Sequence, residues 1–148
     1  MQMKEFLKEE FIKLDMEVST KEEAINGLVE LLNGGDILDN SDHFLKDVFL
    51  RENEGDTNIG QGIAIPHGKS EAVKQTSLAI GRTTKPIKWG EDGNEKVSII
   101  ILFAVRMVDN TSVHLKLLAE IAGKLGHDEV LEQLHNARSE KEILDVFI

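Results

Sequence analysis

The chain has 148 residues, of which 41% are hydrophobic and 30% charged, with 12 Gly, 2 Pro and no cysteine. That is the make-up of one globular domain, 1–148, long enough to bury a core without disulfides or a structural metal; the missing cysteines exclude zinc–thiolate sites, iron–sulfur clusters and thiol nucleophiles, and fit a reducing compartment. With 17 basic against 27 acidic residues, net −10, the chain lacks the basic stripe of a nucleic-acid binder, and its negative surface is open to two readings: solubilising charge, or attraction for basic protein partners.

Lys4, Lys8, Glu9 and Glu10 interrupt the N-terminus, which does not read as a signal peptide. Phe11 to Met16 alternates, predicting a half-buried strand with Ile12, Leu14 and Met16 on one side. Thr20 and Glu23 form a capping box, and Ile25, Leu28, Val29 and Leu32 follow at helical spacing until Gly34-Gly35 stops the helix. A second helix is predicted after Asn40 or Ser41, with Phe44, Leu45, Val48 and Phe49 as its buried face. It runs out near Arg51, before Gly55.

From Gly55 to Gly68 the texture changes to four glycines and a proline around Ile63-Ala64-Ile65, a brief strand that breaks at Pro66. Ser77 to Thr84 alternates with Leu78 and Ile80 inward, and Glu91-Asp92-Gly93-Asn94 is turn chemistry. Val97 to Val105 is apolar on both faces, which predicts a central strand covered on both sides and is far too short to span a bilayer. Helices are predicted from about Ser112 to Leu125 and from about Asp128 to Asn136. A third is capped by Ser139 and Glu142 ahead of Ile143, Leu144 and Phe147. The sum is an α/β layered sandwich, a mixed β-sheet flanked by helices. The expected location is cytoplasmic, without membrane insertion.

Three residues stand out chemically. Pro66 and Gly68 frame His67 at the end of the short strand, Pro66 fixing the exit angle and Gly68 allowing a sharp turn beside the ring. A neutral imidazole held through one N–H to a main-chain carbonyl presents the other nitrogen outward, as a covalent nucleophile needs. The plainer alternative is a histidine capping a loop. His114, one turn into a predicted helix with Leu118, Ile121 and Leu125 following, points inward. The helix dipole keeps it neutral and favours an anion beside it, while a core histidine bonded to a carbonyl is the competing reading. Arg51 borders the buried face of the second helix and suits phosphate oxygens with its fork, or serves as a dipole-compensating cation in the last turn.

Arg51-Glu52 to Thr57, the run Ile59-Gly60-x-Gly62-Ile63-Ala64-Ile65-Pro66-His67-Gly68, and His114-Leu115 opening a helix after the buried strand resemble one family. It is the enzyme IIA domain of the fructose/mannitol (type 2) branch of the phosphoenolpyruvate-dependent sugar phosphotransferase system. The resemblance covers essentially the whole chain and implies the same mixed sheet flanked by helices. It implies a phosphocarrier that takes a phosphoryl group from HPr on His67, supported by His114 and Arg51. The group then passes to enzyme IIB and, through the membrane permease enzyme IIC, to a fructose-like sugar or sugar alcohol. No cofactor and no metal is implied. Nitrogen-related members of the family carry the same histidine but act on other proteins, which is the second functional reading. Val105-Arg106-Met107-Val108-Asp109-Asn110 departs from the small or proline-containing loop of many members.

Two other classes fit worse. No His-Glu-x-x-His or other close ligand pair occurs among the five histidines, so a metal-dependent hydrolase is disfavoured; His43, His127 and His135 read as surface residues. Neither nucleotide-binding glycine signature is present.

Overall fold

A computed structural model describes residues 2–90, 95–109 and 111–148. In chain order the elements are β1 (Ile12–Met16), α1 (Lys21–Gly34), α2 (Ser41–Glu54), β2 (Asn58–Gly60), β3 (Ile63–Ala64), β4 (His67–Ser70), β5 (Ser77–Lys88), β6 (Lys96–Arg106), α3 (Thr111–Leu125), α4 (Asp128–Asn136) and α5 (Glu140–Phe147). The turn expected at Glu91 to Asn94 lies outside the described residues.

The predicted caps form. Thr20 Oγ1 accepts the Glu23 N–H at 3.1 Å, and Ser139 Oγ accepts that of Glu142 at 3.2 Å. Asn40 Oδ1 accepts the N–H of His43 at 3.0 Å, starting α2 at Ser41. Each such cap contributes about 1 kcal/mol and fixes where its helix starts.

The sheet is mixed, in the order β1-β5-β6-β3-β2, with β4 also paired to β6. β5 and β6 are antiparallel, while β1 runs parallel to β5, and β3 and β4 run parallel to β6. β3 and β4 follow one another along β6: Ala64 stands beside Ile100 and His67 beside Phe103. Pro66, between them, still accepts the Phe103 N–H at 2.9 Å through its carbonyl.

The central strand is covered on both faces, as its composition predicts. Ile100, Leu102 and Ala104 enter a core with Leu28 of α1 and with Phe44 and Val48 of α2. Ile99, Ile101, Phe103 and Val105 enter a second core with Leu117 and Ile121 of α3, Leu134 of α4, and Ile143 and Phe147 of α5. Each large side chain buried this way contributes about 1.5–3 kcal/mol, so β6 ties the two cores together.

Four expectations need correction. Met16 joins the α1/α2 core, not the side shared by Ile12 and Leu14. Asp15 adopts φ 56° and the β1–β5 register shifts between Lys13 and Met16, so a bulge turns Met16 over. His67 does not end a strand but opens β4, and Gly68 does not turn. A Cβ on Gly68 would lie 2.9 Å from Val48 Cγ2 and 3.0 Å from Phe44 Cε1, so the glycine lets α2 approach the sheet. β5 also runs on past Thr84 to Lys88, because Pro86 falls in the register shift between Arg82 and Ile87, where a missing N–H is tolerated.

Candidate functional site

β4 alternates between its two sides. Gly68 and Ser70 are buried under α2, and Ser70 donates its hydroxyl to Asp47 Oδ2 of that helix at 2.6 Å. His67 and Lys69 take the opposite side and stay half-exposed. The rise of the chain through Ile65 and Pro66 brings the Ile65 carbonyl within 2.9 Å of His67 Nδ1. A carbonyl only accepts, so Nδ1 carries the ring proton and donates it. The lone pair of the neutral ring then lies on Nε2. Phe103, the partner of His67 across the ladder, meets the ring edge-on at 6.1 Å between centroids.

The structure brings His114 to the same point. It lies in the first turn of α3, at the margin of the buried stripe Leu117, Ile121 and Leu125, with its ring centroid 5.3 Å from that of His67. Its Nε2 is buried and has no hydrogen-bond partner among the described residues, so the carbonyl-bonded reading does not hold for this nitrogen. Burial holds His114 below the usual histidine range, helped by the nearby His67 and Lys69. His67 is also pushed down, chiefly by burial. The Ile65 hydrogen bond opposes that shift, Arg51 adds to it and Glu52 opposes it.

Arg51 is half-buried near the end of α2, where its Nη1 donates to the Gly55 carbonyl at 2.9 Å. It thus closes its own helix, as one reading had it. Its charge nevertheless acts on the His67 ring.

Two neighbours escaped the sequence reading of the site. Glu52 is 5% exposed and Thr57 is also 5% exposed, with the Thr57 hydroxyl donating to the Glu52 carboxylate. A readable signal existed: Glu52 continues the four-residue spacing of Phe44 and Val48, so a carboxylate occupies a buried stripe. His43, His127 and His135 are exposed, as read; His43 pairs with Asp47 at 3.4 Å, and His135 Nε2 donates to the Gln61 carbonyl at 3.2 Å.

Among the described residues no three His, Asp or Glu side chains converge on a point that could hold a metal ion, and no helix is long and apolar enough to cross a membrane. A groove of about 770 Å³ between α3 and α4 is lined by Lys116, Glu120, Lys124 and His127 among others and includes none of the three candidates. At His67 the half-buried ring, bonded through Nδ1, lies near the charge of Arg51 and beside His114, whose buried Nε2 has no partner among the described residues and which also feels Lys69. Positive charge beside a buried nitrogen in need of a partner suits an anionic group.

Residues 5–148 match the family described as phosphoenolpyruvate-dependent sugar phosphotransferase system, EIIA 2. The chain is 33% identical over 132 residues to the PTS system 2-O-alpha-mannosyl-D-glycerate-specific EIIABC component of Escherichia coli (strain K12), covering 88% of this chain but only 20% of that protein's length. Nitrogen regulatory protein IIA-Ntr from Neisseria meningitidis has a similar structure, with a TM-score of 0.87, 34% identity and 97% of each chain covered. The enzyme IIA mannitol chain solved in complex with phosphorylated enzyme IIB mannitol from Escherichia coli gives a TM-score of 0.81 at 26% identity, covering 96% of this chain and 98% of that one. On sequence and fold together, the chain belongs to the EIIA 2 family of the phosphoenolpyruvate-dependent sugar phosphotransferase system.

Proposed function

We propose that the protein is a phosphocarrier that accepts a phosphoryl group from phospho-HPr on Nε2 of His67. It passes the group to an enzyme IIB, and onward through enzyme IIC to an entering fructose-like sugar or sugar alcohol. One observation carries the reading: the 2.9 Å bond from His67 Nδ1 to the Ile65 carbonyl, which leaves Nε2 as the nucleophile. Family membership supports a role in phosphoryl transfer, and the mannitol IIA–IIB complex supports an enzyme IIB partner.

The chemistry follows from the geometry. Nε2 attacks phosphorus in line with the departing nitrogen of the donor, through a loose transition state in which positioning and charge stabilisation do most of the catalysis. The incoming group brings about two negative charges by analogy with other phosphorylated side chains. Arg51 meets that charge with guanidinium donors beyond the one used on Gly55. His114 donates from Nε2 to a phosphoryl oxygen, a partner that its buried nitrogen lacks among the described residues.

The test is incubation with phosphoenolpyruvate, enzyme I and HPr, followed by mapping of the acid-labile adduct. A single adduct on Nε2 of His67, lost in His67→Ala, is expected. An adduct on another residue, or on Nδ1, overturns the assignment. The likeness to IIA-Ntr favours one second reading, in which the same phosphorylated histidine controls other proteins. Transfer of the label to an enzyme IIB favours sugar uptake, and its absence with every enzyme IIB of the source organism favours regulation.

A further inference from the structure

Glu52 lies on the inward stripe of α2, four residues past Val48, and its side chain is only 2% exposed. A carboxylate so enclosed must be paired. Lys21 Nζ, at the start of α1, reaches Oε2 at 3.0 Å, and the Thr57 hydroxyl donates to Oε1. The Lys21 ammonium is held from another side as well, 5.3 Å from the centroid of the Trp89 ring. A buried pair of this kind roughly breaks even against apolar packing, so stability alone is a weak reason for it.

Its position offers a better reason. The Thr57 carbonyl accepts the Ile65 N–H at 3.0 Å, and the Ile65 carbonyl accepts His67 Nδ1–H at 2.9 Å. Three hydrogen-bonded steps therefore join the ion pair to the imidazole: Glu52 to Thr57, Thr57 to Ile65, Ile65 to His67.

We propose that Glu52 is a positioning residue for His67, which with Lys21 and Thr57 fixes the Ile65 carbonyl so that the ring keeps its proton on Nδ1 and offers Nε2. The inference rests on the phosphocarrier reading above. In the transfer, the Nε2 lone pair forms the new N–P bond, the donor's P–N bond breaks, and the donor nitrogen keeps that electron pair. The Nδ1 proton stays in place, so the phosphorylated ring is a cation and leaves as neutral imidazole in the next transfer. The other tautomer would aim its lone pair at the Ile65 oxygen and offer an N–H to phosphorus, which cannot attack. Among the influences on the ring, burial is the largest and with Arg51 works against a cation, while the Ile65 carbonyl and, more weakly, the Glu52 charge favour it. Orienting partners of reactive imidazoles act in this way at metal sites too.

The experiment reads the His67 tautomer from its ring nitrogen NMR shifts in the whole unphosphorylated chain, together with the rate of acceptance from phospho-HPr. Wild type and Thr57→Ser, which keeps the hydroxyl, should hold Nδ1–H. Glu52→Gln and Thr57→Val should populate Nε2–H and slow acceptance by roughly 10- to 100-fold, the usual effect of losing an orienting partner. Folded Glu52→Gln and Thr57→Val proteins with the wild-type tautomer and rate overturn the proposal. If Glu52→Gln does not fold, Thr57→Val decides alone, since it removes the hydroxyl and leaves the carboxylate paired with Lys21. A wild-type chain that takes no phosphoryl group on His67 sinks the phosphocarrier reading, and the tautomer spectra still decide the role of Glu52.

Discussion

The rings of His67 and His114 stand 5.3 Å apart at an interplanar angle of 68°, edge to face, each partly enclosed by the fold. Two imidazoles this close resist being cations together, and burial, the first cause at both, already disfavours the charge. Both are held below the ordinary histidine value of about 6.5. A lowered pKa means that the proton leaves at a lower pH, so neutral His67, the form the proposed transfer needs, persists into mildly acidic solution. In an NMR titration both rings should show midpoints below 6.5, and phosphoryl acceptance should survive at pH 6.5. A His67 midpoint at or above 6.5 would contradict the electrostatic account of the site.

The same two groups tie stability to pH. Unfolded, both histidines take up protons near pH 6.5; folded, they resist until the pH is lower. The unfolded chain therefore binds more protons across that window, and stability is lost as pH falls through 6.5 towards the depressed values. Urea midpoints should drop between pH 7.5 and 5.5. The drop should shrink in the double variant His67→Ala/His114→Leu, whereas an equal drop would assign the acid sensitivity to other groups.

In the proposed role, His114 sets function against stability. A buried nitrogen without a partner costs about 1–3 kcal/mol, and among the described residues Nε2 of His114 has none. His114→Leu should leave the melting temperature unchanged or raise it, yet slow phosphoryl transfer on the order of 100-fold, the scale of losing one donor to a charged transition state. His114→Asn, which restores an N–H, should recover part of the rate. Loss of both stability and transfer in His114→Leu would mean that the ring serves the fold instead.

Much of this architecture is legible in the sequence because it is written in local patterns. The capping pairs Thr20–Glu23 and Ser139–Glu142 fix two helix starts, and the doubly apolar run of β6 declares a strand covered on both faces. The closeness of His67 and His114 and the nearby charge of Arg51 join three residues that glycine framing and helix position single out as candidates. What escapes is set by partners remote in sequence. Nothing around Asp15 announces the left-handed residue that turns Met16 over. β2 is three residues long and exists through its pairing with β3. The task of Glu52 depends on Lys21, 31 residues earlier, and on main-chain bonds that leave no side-chain signature. Gly68 misleads for the same reason, since the demand for a missing side chain comes from α2.

That demand gives a further test. A methyl group at position 68 would lie 2.9 Å from Val48 Cγ2, 3.0 Å from Phe44 Cε1 and 3.4 Å from the Val48 nitrogen. Val48 and Phe44 are both fully buried, so neither can swing aside, and α2 as a whole must move away from β4. Overpacking of this kind costs about 1–3 kcal/mol. Because α2 also carries Arg51 and Glu52, the displacement should reach the site. Gly68→Ala should lower the urea midpoint and slow phosphoryl acceptance together. Gly34→Ala supplies the contrast, since nothing lies within 4 Å of the added methyl at the end of α1. There a helical alanine should stabilise the fold by about 0.5–1 kcal/mol without touching the rate. A Gly68→Ala protein as stable and as fast as wild type would mean that α2 is free to slide, and the close approach of helix to strand would lose its claim to hold the site together.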